Sequence, residues 1–298
     1  MRKIIFLVSA ICCLYVTSSC SKDDGIQNSQ DLAALITVLH GNISWNDHNV
    51  TKGNDDEWIC FKNREAYESI IDMYACSDDE TLLEFAESIN YQSMLLSLNE
   101  DEREKKGIYD DFLAAILNVN GEVQIGDYLF KLDYSKDSAY ILNLTNSDFL
   151  QVDMNYDFFA TLDGDSENHQ VQYCNNKQNG KEETSTTIKW KVVYQNAVVY
   201  HSLLAKINKP GIINSHSTPY IFLSVGSSCT YTVNKRTAVQ QTIASYNNGG
   251  DGKSYSYKPY SDAKGLKQYY FAATFQWYEN EYDYPLNLRY GIISKTND

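Results

Sequence analysis

The sequence predicts an α+β protein: an N-terminal domain of three helices and a β-hairpin, followed by a C-terminal antiparallel β-sandwich. Three observations predict it. Apolar residues recur with helical spacing from Ala66 to Leu117, they alternate one by one from Tyr128 onward, and the alternation returns in segment after segment beyond residue 186.

The helices come first. Ala66, Tyr67, Ile70, Ile71 and Tyr74 fall on one face of a helix between 63 and 75. Ser77 followed by Glu80 has the form of a capping box for a second helix, whose Leu82, Leu83, Ala86 and Ile89 make one stripe. The charged stretch Asn99 to Lys106 reads as a solvated turn before a third helix, with Phe112, Leu113, Ile116 and Leu117 pointing inward. Ahead of all three, Trp58, Ile59, Cys60 and Phe61 read as a short strand.

Asn120 and Gly121 turn the chain into Glu122 to Ile125; Tyr128, Phe130 and Leu132 then alternate, and Tyr140, Leu142 and Leu144 alternate in return. This is a hairpin whose phase slips at Gly126 and Asp127. It closes a domain expected over 33–150. The acidic, Asn-rich stretch 151–185 reads as a linker with one strand near Val171 to Cys174. In the sandwich expected over 186–298, Ile188, Trp190, Val192 and Tyr194 share one face. Phe271, Ala273, Phe275 and Trp277 repeat the pattern, with Tyr270, Thr274, Gln276 and Tyr278 on the opposite side. Further strands fit 197–206, 219–225, 229–234, 239–246 and 287–293. No repeat of fixed period occurs.

Trp58 to Phe61 running into a helix, the segment FLAAILNVNGEVQIG from Phe112 to Gly126, and the strand Tyr128 to Leu132 together resemble a family of uncharacterised Bacteroidetes lipoproteins. Its members look alike in a helical N-terminal part and a variable β C-terminal part. The resemblance covers residues 57 to 145 and implies no known activity and no functional residues.

The first nineteen residues suit such a protein. Arg2 and Lys3, the apolar run Ile4 to Val16, and the small residues Thr17, Ser18 and Ser19 have the order of a signal peptide, expected over 1–19. The apolar run is shorter than the roughly twenty residues a bilayer-spanning helix needs. Cys20 then stands where a lipobox places its acylated cysteine, although Thr17 occupies the position where that pattern prefers Leu. Ser21, Lys22, Asp23 and Asp24 resemble the Bacteroidetes signal that sends a lipoprotein to the outer face of the outer membrane. Acyl chains such as palmitate gain about 0.8 kcal/mol per buried methylene, so two or three hold a protein on a membrane stably. Residues 20–32 then form a polar, lipid-anchored tether, and no later run reaches eighteen apolar residues.

A net charge of −14 argues against nucleic acid and against electrostatic attachment to anionic headgroups, which need clustered Lys and Arg. The 24 tyrosines suit extracellular sheets, where the ring packs while the hydroxyl stays wet. Cys60, Cys76, Cys174 and Cys229 remain once the signal and the acylated cysteine are set aside. They allow three pairings in an oxidising compartment. A helix between Cys60 and Cys76 separates its ends by about 18 Å, against the roughly 7 Å a disulfide tolerates. Cys174 with Cys229 is the pairing expected across strands.

No catalytic or cofactor signature survives scrutiny. Ser224, Gly226, Ser227 and Ser228 lack the order of a Gly-x-Ser-x-Gly elbow, and no His-Glu-x-x-His, P-loop or Rossmann pattern occurs. His40, His48, His169, His201 and His216 have no ligand spacing among them, so no cofactor or metal is expected. Asp163, Asp165, Glu167 and Asn168 alternate as calcium ligands do but lack the Gly and Glu of an EF-hand, and read as a solvated loop.

Glu279, Glu281 and Asp283 lie beside Trp277, Tyr278, Tyr282 and Tyr284, with Tyr255, Tyr257 and Tyr260 nearby in sequence. Ordinary sheet packing is the plain reading of these aromatics; a stacking platform for carbohydrate is the functional one, with Trp277, Tyr278 and Tyr282 as its binding residues. A pair of carboxylates across a cleft would make a glycosidase instead. Asp137, Ser138 and Ala139 resemble a short O-glycosylation motif of exported Bacteroidetes proteins. The expectation is a surface-exposed lipoprotein acting as a non-catalytic binding module for a glycan or protein ligand. A glycan-directed hydrolase and a structural part of an envelope assembly are the alternatives.

Overall fold

A strand that is apolar on both faces loses its alternation, and that property governs the N-terminal half. The computed structural model describes residues 29–53, 56–165, 176–183, 187–209, 219–278 and 287–295. Helix α1 (Ser29–Leu35) runs into β1 (Ile36–Ser44), which pairs antiparallel with β2 (Asn49–Lys52) on one edge and β3 (Asp56–Phe61) on the other. Five short helices follow: α2 (Arg64–Tyr74), α3 (Asp79–Ser88), α4 (Met94–Ser97), α5 (Glu100–Lys105) and α6 (Asp111–Ile116). Each starts where a side chain accepts an otherwise unpaired N–H of the first turn, from Asn63, Asp78, Ser93, Asn99 and Asp110 in order. Strand β4 (Glu122–Ile125) then returns parallel to β3. β5 (Tyr128–Asp133), β6 (Ser138–Asn143) and β7 (Phe149–Asp153) complete a seven-stranded sheet in the order β2-β1-β3-β4-β5-β6-β7, and α7 (Phe158–Leu162) follows.

The helices cover one face of this sheet. Ile36 and Val38 of β1 face their core, while Leu39 and Ile43 of the same strand join Trp58, Leu129 and Leu142 on the other face. The sheet curls strongly. Trp45 and His48, in the turn between β1 and β2 at one edge, set their rings 6.1 Å from Tyr140 of β6 and 3.8 Å from Phe149 of β7 at the other.

The rest of the chain is strand: β8 (Asn176–Glu183), β9 (Thr187–Asn196), β10 (His201–Asn208), β11 (Tyr220–Val225), β12 (Thr230–Val233), β13 (Gln241–Thr242), β14 (Tyr246–Gly250), β15 (Ser254–Asp262), β16 (Leu266–Tyr278) and β17 (Asn287–Lys295). They form a four-stranded sheet, β15-β10-β9-β8, and a six-stranded one, β13-β12-β16-β11-β14, with β17 on the second edge of β16. The apolar faces of both sheets enclose a second core around Trp190, Tyr194, Leu203, Phe271, Phe275 and Trp277.

The expected three-helix domain with a hairpin, followed by a β-sandwich, is therefore corrected. Among the described residues the protein is mostly β, three curled sheets carrying seven short helices, of which α2 with 11 residues is the longest. The expected helices exist as α2, α3 and α6, but they cover a sheet rather than form a domain. Trp58 to Phe61, Glu122 to Ile125 and the hairpin are the expected strands of this sheet, β3 to β6; β1, packed on both faces and broken by His40 and Gly41, shows no period. Asn99 to Lys106 is not a turn: it contains α5, closed by a full capping box between Asn99 and Glu102. The second helix is capped by Asp78, whose side chain accepts from Thr81 N, rather than by Ser77.

The two cores meet at two turns, one of them carrying the buried Ala263 between β15 and β16. Ala197 to Tyr200, between β9 and β10, is fully buried among the N-terminal helices. Tyr200 packs 5.2 Å from the Phe112 ring and donates its hydroxyl hydrogen to Asp110 Oδ2 at 3.0 Å. Val198 holds a φ of 61° there, a left-handed conformation costly for a β-branched residue that only the surrounding packing sustains. Among the described residues no helix is long and apolar enough to cross a membrane.

Candidate binding face

Each C-terminal sheet turns one face to the second core, so by the period of two every other residue points outward. On the four-stranded sheet those outward positions are lysine-rich, and the acidic helix starts of the N-terminal half lie over them. Lys191 Nζ donates to Glu100 and Glu104 at 2.9 Å each. Lys206 Nζ donates to Asp79 at 3.0 Å and to Asp111 at 2.7 Å, and Arg103 holds the other Asp111 oxygen at 2.6 Å. Lys189 pairs with Asp101, Asn208 with Glu100, and Lys258 with Asp110. Burial alone would raise the carboxyl of Glu100, but Lys191 and Lys206 overcome it and hold the group at about 2. Burial likewise opposes the charge on Asp111 and on Lys206; each is overruled by the other, leaving Asp111 well below and Lys206 well above its ordinary range. A cleft of about 200 Å³ remains between α5 and strands β8 to β10. Lys189, Lys191 and Lys206, which line it, are already held by carboxylates.

A second polar cluster lies at the joint of the two cores. Asp157 caps α7 and also accepts from Gly265 N at 2.7 Å and Asn234 Nδ2 at 3.1 Å. His201 Nε2 stands 4.0 Å from Asp157 and has no hydrogen-bond partner, and Nδ1 is 3.5 Å from the Tyr194 hydroxyl. Burial pushes the His201 imidazolium down, so the ring is neutral near pH 7. At 1% exposure it touches no solvent, and it serves the joint rather than a substrate.

The outward face of the six-stranded sheet differs. Tyr278 lies opposite Tyr220, Gln276 opposite Phe222 and Thr274 opposite Ser224. On the other edge of β16, Tyr290 lies opposite Thr274 and Ile292 opposite Ala272, while Tyr270 sits between Thr230 and Ser294. Asn247 and Gly249 of β14 extend the same rows. Among the described residues none of these positions carries a carboxylate, lysine, arginine or histidine. Tyr270, Tyr290 and Ile292 are 39%, 61% and 52% exposed, so nothing within the chain's described part covers them. Phe222 is fixed in place: its ring lies over Gly249, where a Cβ would sit 2.2 Å from Cδ1, and its edge meets Tyr278 at 5.3 Å.

The structure redistributes the residues singled out in the sequence. Trp277 is 1% exposed and belongs to the second core, so the expected grouping of Trp277 with Tyr278 fails for a simple reason: consecutive residues of a strand face opposite ways. Tyr278 is on the open face. Tyr282, Tyr284, Glu279, Glu281 and Asp283 lie outside the described residues. So do Cys20, Ser21, Lys22, Asp23, Asp24, Cys174, Glu167, Asn168, His169 and His216. Cys229, the expected partner of Cys174, is a buried free thiol whose Sγ accepts from Ala272 N at 3.2 Å; burial pushes it up. Tyr260 is core, and Tyr257 is stacked on Tyr246 at 4.5 Å. Asp163 and Asp165 are bound by Arg64 and Lys264; the Arg64 hydrogen bonds hold Asp163 at about 2. Among the described residues no group of three or more His, Cys, Asp or Glu could hold a metal ion.

Only the structure joins Tyr220, Phe222, Tyr290 and Ile292 to Tyr270 and Tyr278 on one face. Part of the signal lies in the alternation: with Phe271 to Trp277 in the core, Tyr270, Thr274, Gln276 and Tyr278 face out, aromatic, hydroxylic or amide and without charge.

No family model matches the chain. No curated protein matches it either. A solved structure to which it is similar is a DUF4848 family protein from Bacteroides thetaiotaomicron, 10% identical, covering 80% of this chain and 96% of that one with a TM-score of 0.19. A likeness that faint leaves fold and function to be argued from this chain's own residues.

Proposed function

We propose that this chain is a lipid-anchored envelope protein, acylated at Cys20 and displayed at the outer face of the outer membrane, that binds carbohydrate through the open face of its six-stranded sheet without catalysing a reaction. One observation carries the binding role: a face of tyrosines, phenylalanine, isoleucine, hydroxyls and amides that no described residue covers and whose paired outward positions carry no charge, on a protein of net charge −14. Exposed aromatic patches on a soluble body mark interaction sites. Aromatic rings stack on the apolar faces of sugars while neighbouring hydroxyls and amides hydrogen-bond to their rims.

The anchor rests on the order of the N-terminal residues and on the Ser21 to Asp24 signal. Electrophoresis through gels cast with a polysaccharide tests the binding role: retardation is expected, and must disappear when Tyr270 and Tyr290 become Ala. Radiolabelled palmitate tests the anchor, with incorporation expected in the chain and lost in Cys20→Ser. Protease added to intact cells should remove the displayed body, and full protection would place it on the periplasmic side.

A further inference from the structure

We infer that the open face takes a linear, electrically neutral polysaccharide laid along β16, several rings at a time. This rests on the reading of that face as a carbohydrate-binding face and narrows its ligand. Tyr270 stands near one end of β16, Tyr290 projects beside Thr274 in the middle, and Tyr278 with Phe222 closes the far end. At about 3.4 Å per residue, the run from Tyr270 to Tyr278 spans about 27 Å, which is several linked pyranoses and far more than one.

Charge selects the polymer. A uronate or sulfated chain finds no cation at the described paired outward positions of β11, β14, β16 and β17, and it approaches a protein of net charge −14 against repulsion. The lysines that could attract it, Lys189, Lys191 and Lys206, are on the other sheet and bound to carboxylates. Hydrogen-bond capacity argues against a second protein. Thr230, Ser224, Thr274 and Gln276 sit between the rings and would be desolvated at a cost unless each found a partner. A polyhydroxylated chain offers donors and acceptors along its whole length, which suits groups that both donate and accept.

The test uses calorimetry on the mature chain with galactomannan and xyloglucan as neutral probes and alginate and polygalacturonate as anionic ones, followed by the hexasaccharide and disaccharide of whichever neutral polymer binds. The expected result is binding of a neutral polymer, insensitive to added salt, with the hexasaccharide at least about tenfold tighter than the disaccharide. Tyr290→Ala, at a site too exposed to endanger folding, should weaken it by about tenfold or more. Preference for the anionic polymers, or equal affinity for disaccharide and hexasaccharide, overturns the inference but leaves a carbohydrate-binding face. Binding unaffected by Tyr270→Ala and Tyr290→Ala, or no binding of any polysaccharide, overturns that face as well; so does a protein partner seated on it.

Discussion

The two sheets of the C-terminal half share a core yet treat their outer faces in opposite ways. On the four-stranded sheet, the outward residues are lysines clamped under acidic helices; on the six-stranded sheet, they are uncharged aromatics, hydroxyls and amides under nothing that the described residues supply. The first face is a joint, and the second is left exposed by the described residues. Buried charge holds the two halves of this chain in one register, whereas the paired outward positions of the six-stranded sheet carry no charge among the described residues.

The joint should yield the largest effects. Lys206→Met removes one of the two cations hydrogen-bonded to Asp111 and leaves Arg103 to hold that buried carboxylate alone; it should cost about 3 to 5 kcal/mol in urea denaturation. A single-variant cost below about 1 kcal/mol would mean that the joint is loose. Trp277→Ala should cost a comparable 3 to 5 kcal/mol or so through its cavity, whereas Tyr290→Ala on the opposite side of the same sheet should change stability by no more than about 0.5 kcal/mol. Equal costs would erase the distinction between the two faces.

Acid sharpens the comparison. Glu100 is held at about 2 against an ordinary 4.5, and Asp111 is lowered in the same direction, so the folded protein binds fewer protons there than the unfolded chain. Their contribution is fully present above about pH 4.5 and is lost as the pH falls toward 2. A melting temperature flat across that window would contradict the pairing. His201 acts in the same sense at higher pH, since its folded value is also depressed.

A last effect concerns Lys295, at the end of β17. Burial lowers its ammonium to about 8 from an ordinary 10.5, despite the attraction of Asp157. Stability should therefore rise as pH increases from about 8 to 10.5, and Lys295→Met should flatten that rise.

Much of this was legible in the sequence. Strict alternation located β9 and β16, and helical spacing located α2, α3 and α6. What stayed hidden has physical causes. β1 packs on both faces and so shows no alternation; β15 is half-buried along most of its length and carries no clean pattern. The joint could not be read at all, because Glu100 and Lys191 are far apart in the chain and each looks like ordinary solvated charge until the fold brings them together. The candidate face is half visible: alternation puts Tyr278 on the outward side of its strand, whereas grouping Trp277 with it by proximity in sequence runs against strand geometry, which sends the two apart.

The most direct measurement is hydroxyl-radical footprinting of the mature chain with and without a neutral polysaccharide that it binds. Oxidation of Tyr270, Tyr278 and Tyr290 should fall on binding, while the aromatics Trp45, Tyr140 and Phe149 of the seven-stranded sheet keep their unbound reactivity. Protection at Trp45 and Tyr140 instead, with Tyr270 and Tyr290 unchanged, would contradict the assignment of the open face of the six-stranded sheet.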